Sequence, residues 1–321
     1  MNKIWLIVKR EYLVRVRSKS FVLSTILTPL FFVGLIATIA YFSANAPDKG
    51  KAMADTMMEQ GNLPKENLGI AYISGYISSF LIYITILIYG TMVMRGVSEE
   101  KTSRIAEIII SSVKPFQLMM GKILGIGAVG LTQFLMWLVL ILIFSSAAFL
   151  FLPIPADTAA GASPEQQASI MADLDKVNLP LIIGCFLFYF LFGYLFYASL
   201  FAAVGSAINE DFQDTQSLMF PVTMPIILAI VMMMQSINQP EGSLAVWSSL
   251  IPFFAPVVMM ARIPFGVPET VPYWQLILSM LLMIGGFLFT TWVSAKIYRT
   301  GILLYGKKIT WKEMWKWTTR S

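Results

Sequence analysis

Along the chain, hydrophobic residues come in long unbroken runs separated by short charged or Pro/Gly-rich breaks. Six runs approach or exceed the roughly 20 residues that a helix needs to cross a hydrocarbon core of about 30 Å. They cover 21–42, 68–94, 116–151, 179–207, 216–234 and 271–295. The third and fourth are longer than a crossing needs, so they are expected to tilt or to project from the bilayer. A further apolar stretch, 246–264, is interrupted by Pro252, Pro256 and Arg262. It is expected to form a shallow re-entrant or interfacial helical pair on the outer side, buried against protein.

The largest charged interruption is 96–115, GVSEEKTSRIAEIIISSVKP. Ile105, Ile108, Ile109 and Val113 fall at helical spacing, so one face can lie on protein or on the membrane surface. Glu99, Glu100, Lys101, Arg104 and Glu107 are expected to give the other side a mixed-sign surface suited to a protein partner. Residues 1–19 read as a basic amphipathic interface helix. Ile4, Val8 and Tyr12 share one face with Trp5 and Val16 beside it, while Lys9, Arg10, Arg15 and Arg17 supply the charge.

Composition agrees with the pattern. Apolar residues make up 57% of the chain, charged residues only 13%, and the mean hydropathy is +0.72; a soluble domain carries roughly 25% charged residues. There is no histidine, which removes imidazole catalysis, His metal sites and His proton relays together. The single cysteine, Cys185, lies within an apolar run and reads as a small buried residue. With a cytoplasmic N-terminus, the basic residues left outside are Lys49, Lys51, Lys65, Lys176 and Arg262, out of 23. That positive-inside bias places both termini in the cytoplasm, and it makes the net charge of +5 a matter of topology, not of nucleic-acid binding.

The remaining segments are less specific. Ala44-Asn45-Ala46 looks like a signal-cleavage site, but the apolar run of about 22 residues before it exceeds a cleaved signal core of roughly 7–15, so an uncleaved first span is expected. The loop 43–67 is short and polar. Gly121 and Gly125 stand four apart, a spacing that permits close helix approach within the chain. The loop 153–178 carries Asp157, Glu165, Asp173 and Asp175 without EF-hand spacing and reads as solvated. The turn after the fourth span holds Glu210, Asp211 and Asp214, which can cap the next helix, attract cations or form a second cytoplasmic contact. Three Trp among lysines in the tail suggest a second interfacial helix.

The order and the residues resemble the ABC-2 type permeases, in particular the sodium-efflux-like branch. The resemblance is carried by 9–30 (KREYLVRVRSKSFVLSTILTPL), 99–133 (EEKTSRIAEIIISSVKPFQLMMGKILGIGAVGLTQ), 196–225, 251–265 and 296–317. It implies an all-α membrane protein of the type V exporter kind: six transmembrane helices, an N-terminal amphipathic helix, a cytoplasmic coupling helix and an outer re-entrant helix pair before the last span. The parts are 1–19 interface helix, 20–95 spans one and two, 96–115 coupling segment, 116–298 spans three to six, and 299–321 basic tail. It further implies a multi-pass protein of the bacterial plasma membrane, paired with a second permease subunit in a homo- or heterodimer. The branch often carries a sizeable domain between the first two spans, where this chain has only 43–67.

The chain has no GxxxxGK[ST] phosphate loop, so ATP and Mg are expected on a separate ABC ATP-binding subunit, with no catalytic, cofactor or metal site here. The resulting expectation is the permease subunit of an ATP-driven exporter. A non-transporting sensor or scaffold subunit fits the same residues. An ion-coupled secondary transporter lacks the mid-span ionisable residues such proteins use, with Thr132 and Gln133 the polar pair to inspect. A membrane-embedded enzyme lacks a paired acid or Ser–Lys site within the spans. A span lining without charge disfavours a tightly coordinated ion as cargo and favours an apolar or amphipathic one.

Overall fold

The computed structural model describes residues 3–19, 21–30, 34, 68–103, 105–110, 112–151, 178–208, 212–304 and 309–319. Among them every regular element is helical: α1 (Lys3–Val16), α2 (Phe21–Leu30), α3 (Leu68–Thr102), α4 (Ile105–Ile110), α5 (Pro115–Phe151), α6 (Leu179–Ala207), α7 (Phe212–Asn238), α8 (Ser243–Leu250), α9 (Ala255–Arg262), α10 (Tyr273–Gly301) and α11 (Trp311–Thr319). Hydrocarbon offers no partner for backbone polar groups, and a helix satisfies them within its own segment. Five helical stretches are long and apolar enough to cross a membrane: Ser74–Thr102, Pro115–Ile141, Leu179–Ala207, Thr215–Asn238 and Tyr273–Gly301. The chain is a multi-pass, all-helical membrane protein.

Of the first expected span, α2 is the described part; residues 31–33 and 35–42 lie outside the described residues. So do the loops 43–67 and 153–177, Arg104, Glu210 and Asp211, and the side chains of Glu107 and Asp214.

Local signals set several helix ends. Pro115 opens α5 where a missing N–H does no harm, and the Gln117 side chain accepts from the Lys114 N–H at 3.3 Å. Thr310 and Glu313 make half of a capping box for α11: the Thr310 N–H donates to Glu313 Oε2 at 3.4 Å. The second span differs from expectation. Composition divides the chain at 95/96, yet α3 continues through Gly96 to Thr102. One glycine within a helix costs only about 1 kcal/mol, and the Glu and Lys that follow are good helix formers.

The chain divides into two compact units. The smaller comprises 14–71 and 131–178. There the Phe21 N–H donates to Ser18 Oγ at 3.2 Å, starting α2, and Gln133 Nε2 donates to Ser24 Oγ at 3.4 Å. Gln133 is thus engaged by a neighbouring helix, an ordinary role for an amide in a bundle.

The larger unit comprises 1–13, 72–130 and 179–321. Its centre is the second half of α6, where every residue from Gly193 to Ala207 except Leu200 is buried. Helix α10 packs along α6, and the hairpin α8–α9 packs among α6, α7 and α10. The expected broken pair at 246–264 is therefore two short helices held against protein, as its prolines suggested. Tyr197 donates to the Phe253 carbonyl at 2.6 Å and fixes the hairpin turn to α6.

Arg262 closes this hairpin. It is wholly buried, with Nε donating to the Pro240 carbonyl at 2.7 Å, Nη1 to Ser249 Oγ at 2.6 Å and Nη2 to Gln275 Oε1 at 3.0 Å. Tyr189 donates to Ser279 Oγ at 3.0 Å, and Ser279 donates to the Ser249 carbonyl at 2.7 Å. A residue counted from sequence as an outer charge is an internal cross-tie between four segments.

Candidate functional site

The site is built where α3 ends. Its buried stripe runs through Ile82, Ile86, Tyr89, Val93 and Val97, the i, i+3, i+4 spacing of one helical face. Continued by one turn, that stripe reaches Glu100 and Lys101, which are also buried, Lys101 at 1% exposure. Three adjacent helical residues point in directions about 100° apart, as 3.6 residues per turn requires, so Glu99, Glu100 and Lys101 cannot share one surface. Glu99 alone of the three is exposed. The expected outward mixed-sign surface is corrected accordingly: Glu100 and Lys101 face inward.

Glu100 meets charges from two other helices. Lys122 of α5 lies 3.1 Å from Glu100 Oε1 and 3.2 Å from Glu11 Oε1 of α1. Arg10, 54% exposed along its side chain, approaches Glu100 Oε1 at 3.7 Å from the rim. Lys101 Nζ donates to the Ser206 carbonyl at 2.8 Å, in the last turn of α6. Carbonyls there lack helical partners and carry the negative end of the helix dipole, so an ammonium is well placed. Lys3 Nζ donates to the Ser112 carbonyl at 2.6 Å, tying the start of α1 to the segment after α4. One cluster therefore joins α1, α3, α5 and α6.

The Gly121–Gly125 pair makes the cluster possible. A Cβ at Gly121 would lie 2.7 Å from the Ile7 side chain, and one at Gly125 would lie 2.7 Å from Glu11 Cβ and 3.1 Å from the Val8 carbonyl. The small-residue spacing thus serves intrachain packing, seating α1 directly on α5. Ile7, Val8 and Glu11 form the covered face of α1, while Trp5, Leu6 and Val14 stay exposed. Lys9 and Arg17 are exposed and Arg15 is half-buried.

Two polar atoms close to this cluster are not satisfied. Glu100 Oε2 and the Tyr298 hydroxyl are buried with no hydrogen-bond partner among the described residues. Tyr298 lies near enough to Glu100 and Glu11 to interact electrostatically with both. A buried carboxylate oxygen without a donor is costly, so the cluster holds an unmet demand for a proton donor. Beyond it, α4 leaves Ile105 and Ile108 exposed, Ile108 at 74%.

Sequence reasoning missed Glu11 and treated Lys122 only as an inside charge. The period of the α1 and α5 faces could have placed both on covered sides, but not in contact.

Residues 51–296 match the family described as "ABC-2 family transporter protein". The chain belongs to the ABC-2 transporter family. Two relatives of this ABC-2 protein agree in extent. It is 31% identical over 255 residues to the uncharacterized protein YhaP of Bacillus subtilis (strain 168), covering 79% of this chain and 57% of that one. It is 30% identical over 237 residues to the uncharacterized protein MJ1024 of Methanocaldococcus jannaschii, covering 74% and 51%. The chain thus spans about half the length of the curated relatives it matches. No solved structure gives a significant match. Membership makes the chain a transmembrane component of the ABC-2 kind.

Proposed function

We propose that this chain is the permease subunit of an ATP-driven ABC exporter, energised by a separate ATP-binding subunit that carries ATP and Mg. The observation that carries the reading is the end of α3. Glu99 and the apolar α4 residues Ile105 and Ile108 are exposed there, while Glu100 and Lys101, next to Glu99 in the chain but turned inward, are tied into three other helices. A partner seated on Glu99 and α4, with Arg104 and Glu107 in the same segment, pushes a helix whose buried charges pass the displacement to α1, α5 and α6. Glu210, Asp211 and Asp214 offer a second contact. Both termini are cytoplasmic, the bilayer is the bacterial plasma membrane, and a second permease subunit completes the path. The sodium-efflux-like residues at 9–30 and 99–133 favour that branch.

The test is co-purification of tagged protein from native membranes, followed by ATPase assay. The expected result is an associated ATPase that an Ile108→Asp, Glu99→Lys variant loses while remaining monodisperse. An ATPase that stays bound and equally active with that variant removes α4 as the docking element. A wild-type chain that brings down no ATPase removes the exporter reading.

A further inference from the structure

A second feature has no part in the junction. Between α6, α10, α11 and the turn of the α8–α9 hairpin lies a cavity of about 320 Å³, lined almost wholly by apolar side chains. At one end of its lining, Pro252 and Phe253 of the hairpin turn stand with Gly286, near the middle of α10, Pro252 directly against it. Its open end is bordered by Trp311 and Trp315 of α11, both exposed. From Gly286 to Ile297 the lining follows one face of α10 for eleven residues, about 16 Å at 1.5 Å per residue. Half of a hydrocarbon core is about 15 Å. Along α10 the lining is about as long as one leaflet is thick.

Two further observations bear on its occupant. Ser294 lines the groove eight residues from Gly286, about 12 Å along the helix, and its buried hydroxyl has no hydrogen-bond partner among the described residues. That depth is where an acyl chain gives way to the ester carbonyls of a glycerolipid, which accept such a bond. On α11, Lys312 and Lys316 stand one helical turn apart and are exposed, each following a tryptophan of the lining and about 100° round the helix from it. Lys296 holds α11 in place by donating to the Thr318 carbonyl at 2.9 Å, and it lies 4.3 Å from the Trp292 ring centre. Tryptophan with lysine at one level is the composition of an interfacial helix over anionic lipid.

We infer that this groove binds one acyl chain of an anionic phospholipid from the leaflet on the side of α11, with its phosphate at Lys312 and Lys316. A second copy of this chain fits less well, because a two-fold contact at this mouth would set the lysines of one α11 against those of the other.

The full-length protein is placed in nanodiscs of phosphatidylcholine containing phosphatidylglycerol, extracted gently, and analysed for retained lipid by native mass spectrometry. Wild type is expected to keep phosphatidylglycerol over phosphatidylcholine. Lys312→Glu with Lys316→Glu, both at the surface and harmless to folding, is expected to reduce that preference by about fivefold or more per lysine. Val293→Trp, which fills the groove, is expected to lower retention of both lipids. Equal retention of the two lipids by wild type overturns the inference, as does a preference unchanged by the lysine reversals. Unchanged lipid retention by Val293→Trp, with an altered ratio of monomer to dimer, overturns it in favour of a second copy.

Discussion

Lys122 and Arg262 each bury a cation in the larger unit, and they do so by different chemistry. Lys122 sits between two carboxylates from two helices, a compact ammonium that can swing between them. Arg262 has a rigid planar fork on three neutral acceptors, each from a different segment. The first arrangement can exchange partners, and it leaves Glu100 Oε2 without a donor. The second has its described contacts fixed by the geometry of one side chain. The difference teaches which region is built to rearrange and which to hold.

The largest expected effect separates the two at Lys122. Lys122→Met leaves Glu11 and Glu100 buried and facing each other, at about 3–5 kcal/mol of stability. Thermal unfolding in detergent measures it, and adding Glu11→Gln and Glu100→Gln should recover most of the loss. No recovery would mean that Lys122 acts by packing. Next comes Arg262→Lys, which keeps the charge but cannot reach three acceptors, with an expected loss of about 1–3 kcal/mol. A variant as stable as wild type would show that the hairpin is held by its apolar contacts. Lys101→Met removes the bond to Ser206 and should cost about 1 kcal/mol in the same assay. The smallest effect belongs to Arg10→Gln, whose long, exposed contact with Glu100 should contribute under about 0.5 kcal/mol. A larger loss there would make the rim part of the junction. In the assembled transporter, Lys122→Met should depress stimulated ATPase more than Arg262→Lys does; the reverse order would exchange the roles assigned to the two centres.

How far the sequence could be read follows from the same contrast. Helix 179–207 was legible to the residue, because a span needs a long apolar run and nothing else to be recognised. The broken pair before the last span was legible because Pro252, Pro256 and Arg262 interrupt an apolar stretch, 246–264, that is short to begin with. The end of α3 departs from the charge pattern because a charge need not face water: the buried stripe through Val93 and Val97 points at Glu100 and Lys101. The pairing of Glu11 with Lys122 was beyond reach. Periodicity tells which side of a helix is covered, but not which residue more than a hundred positions away covers it. Arg262 was hidden for the same reason, since its acceptors are a carbonyl, a hydroxyl and an amide that no charge pattern reveals.

The uninterrupted course of α3 has a mechanical consequence. From Ser74 to Thr102 it is a rod of 29 residues, about 43 Å long. A rod without a hinge converts a small tilt at one end into an opposite swing at the other, with its pivot set by whatever grips its middle. The gearing of the molecule is then a length ratio, so moving the pivot by one helical turn would change the stroke without touching either end.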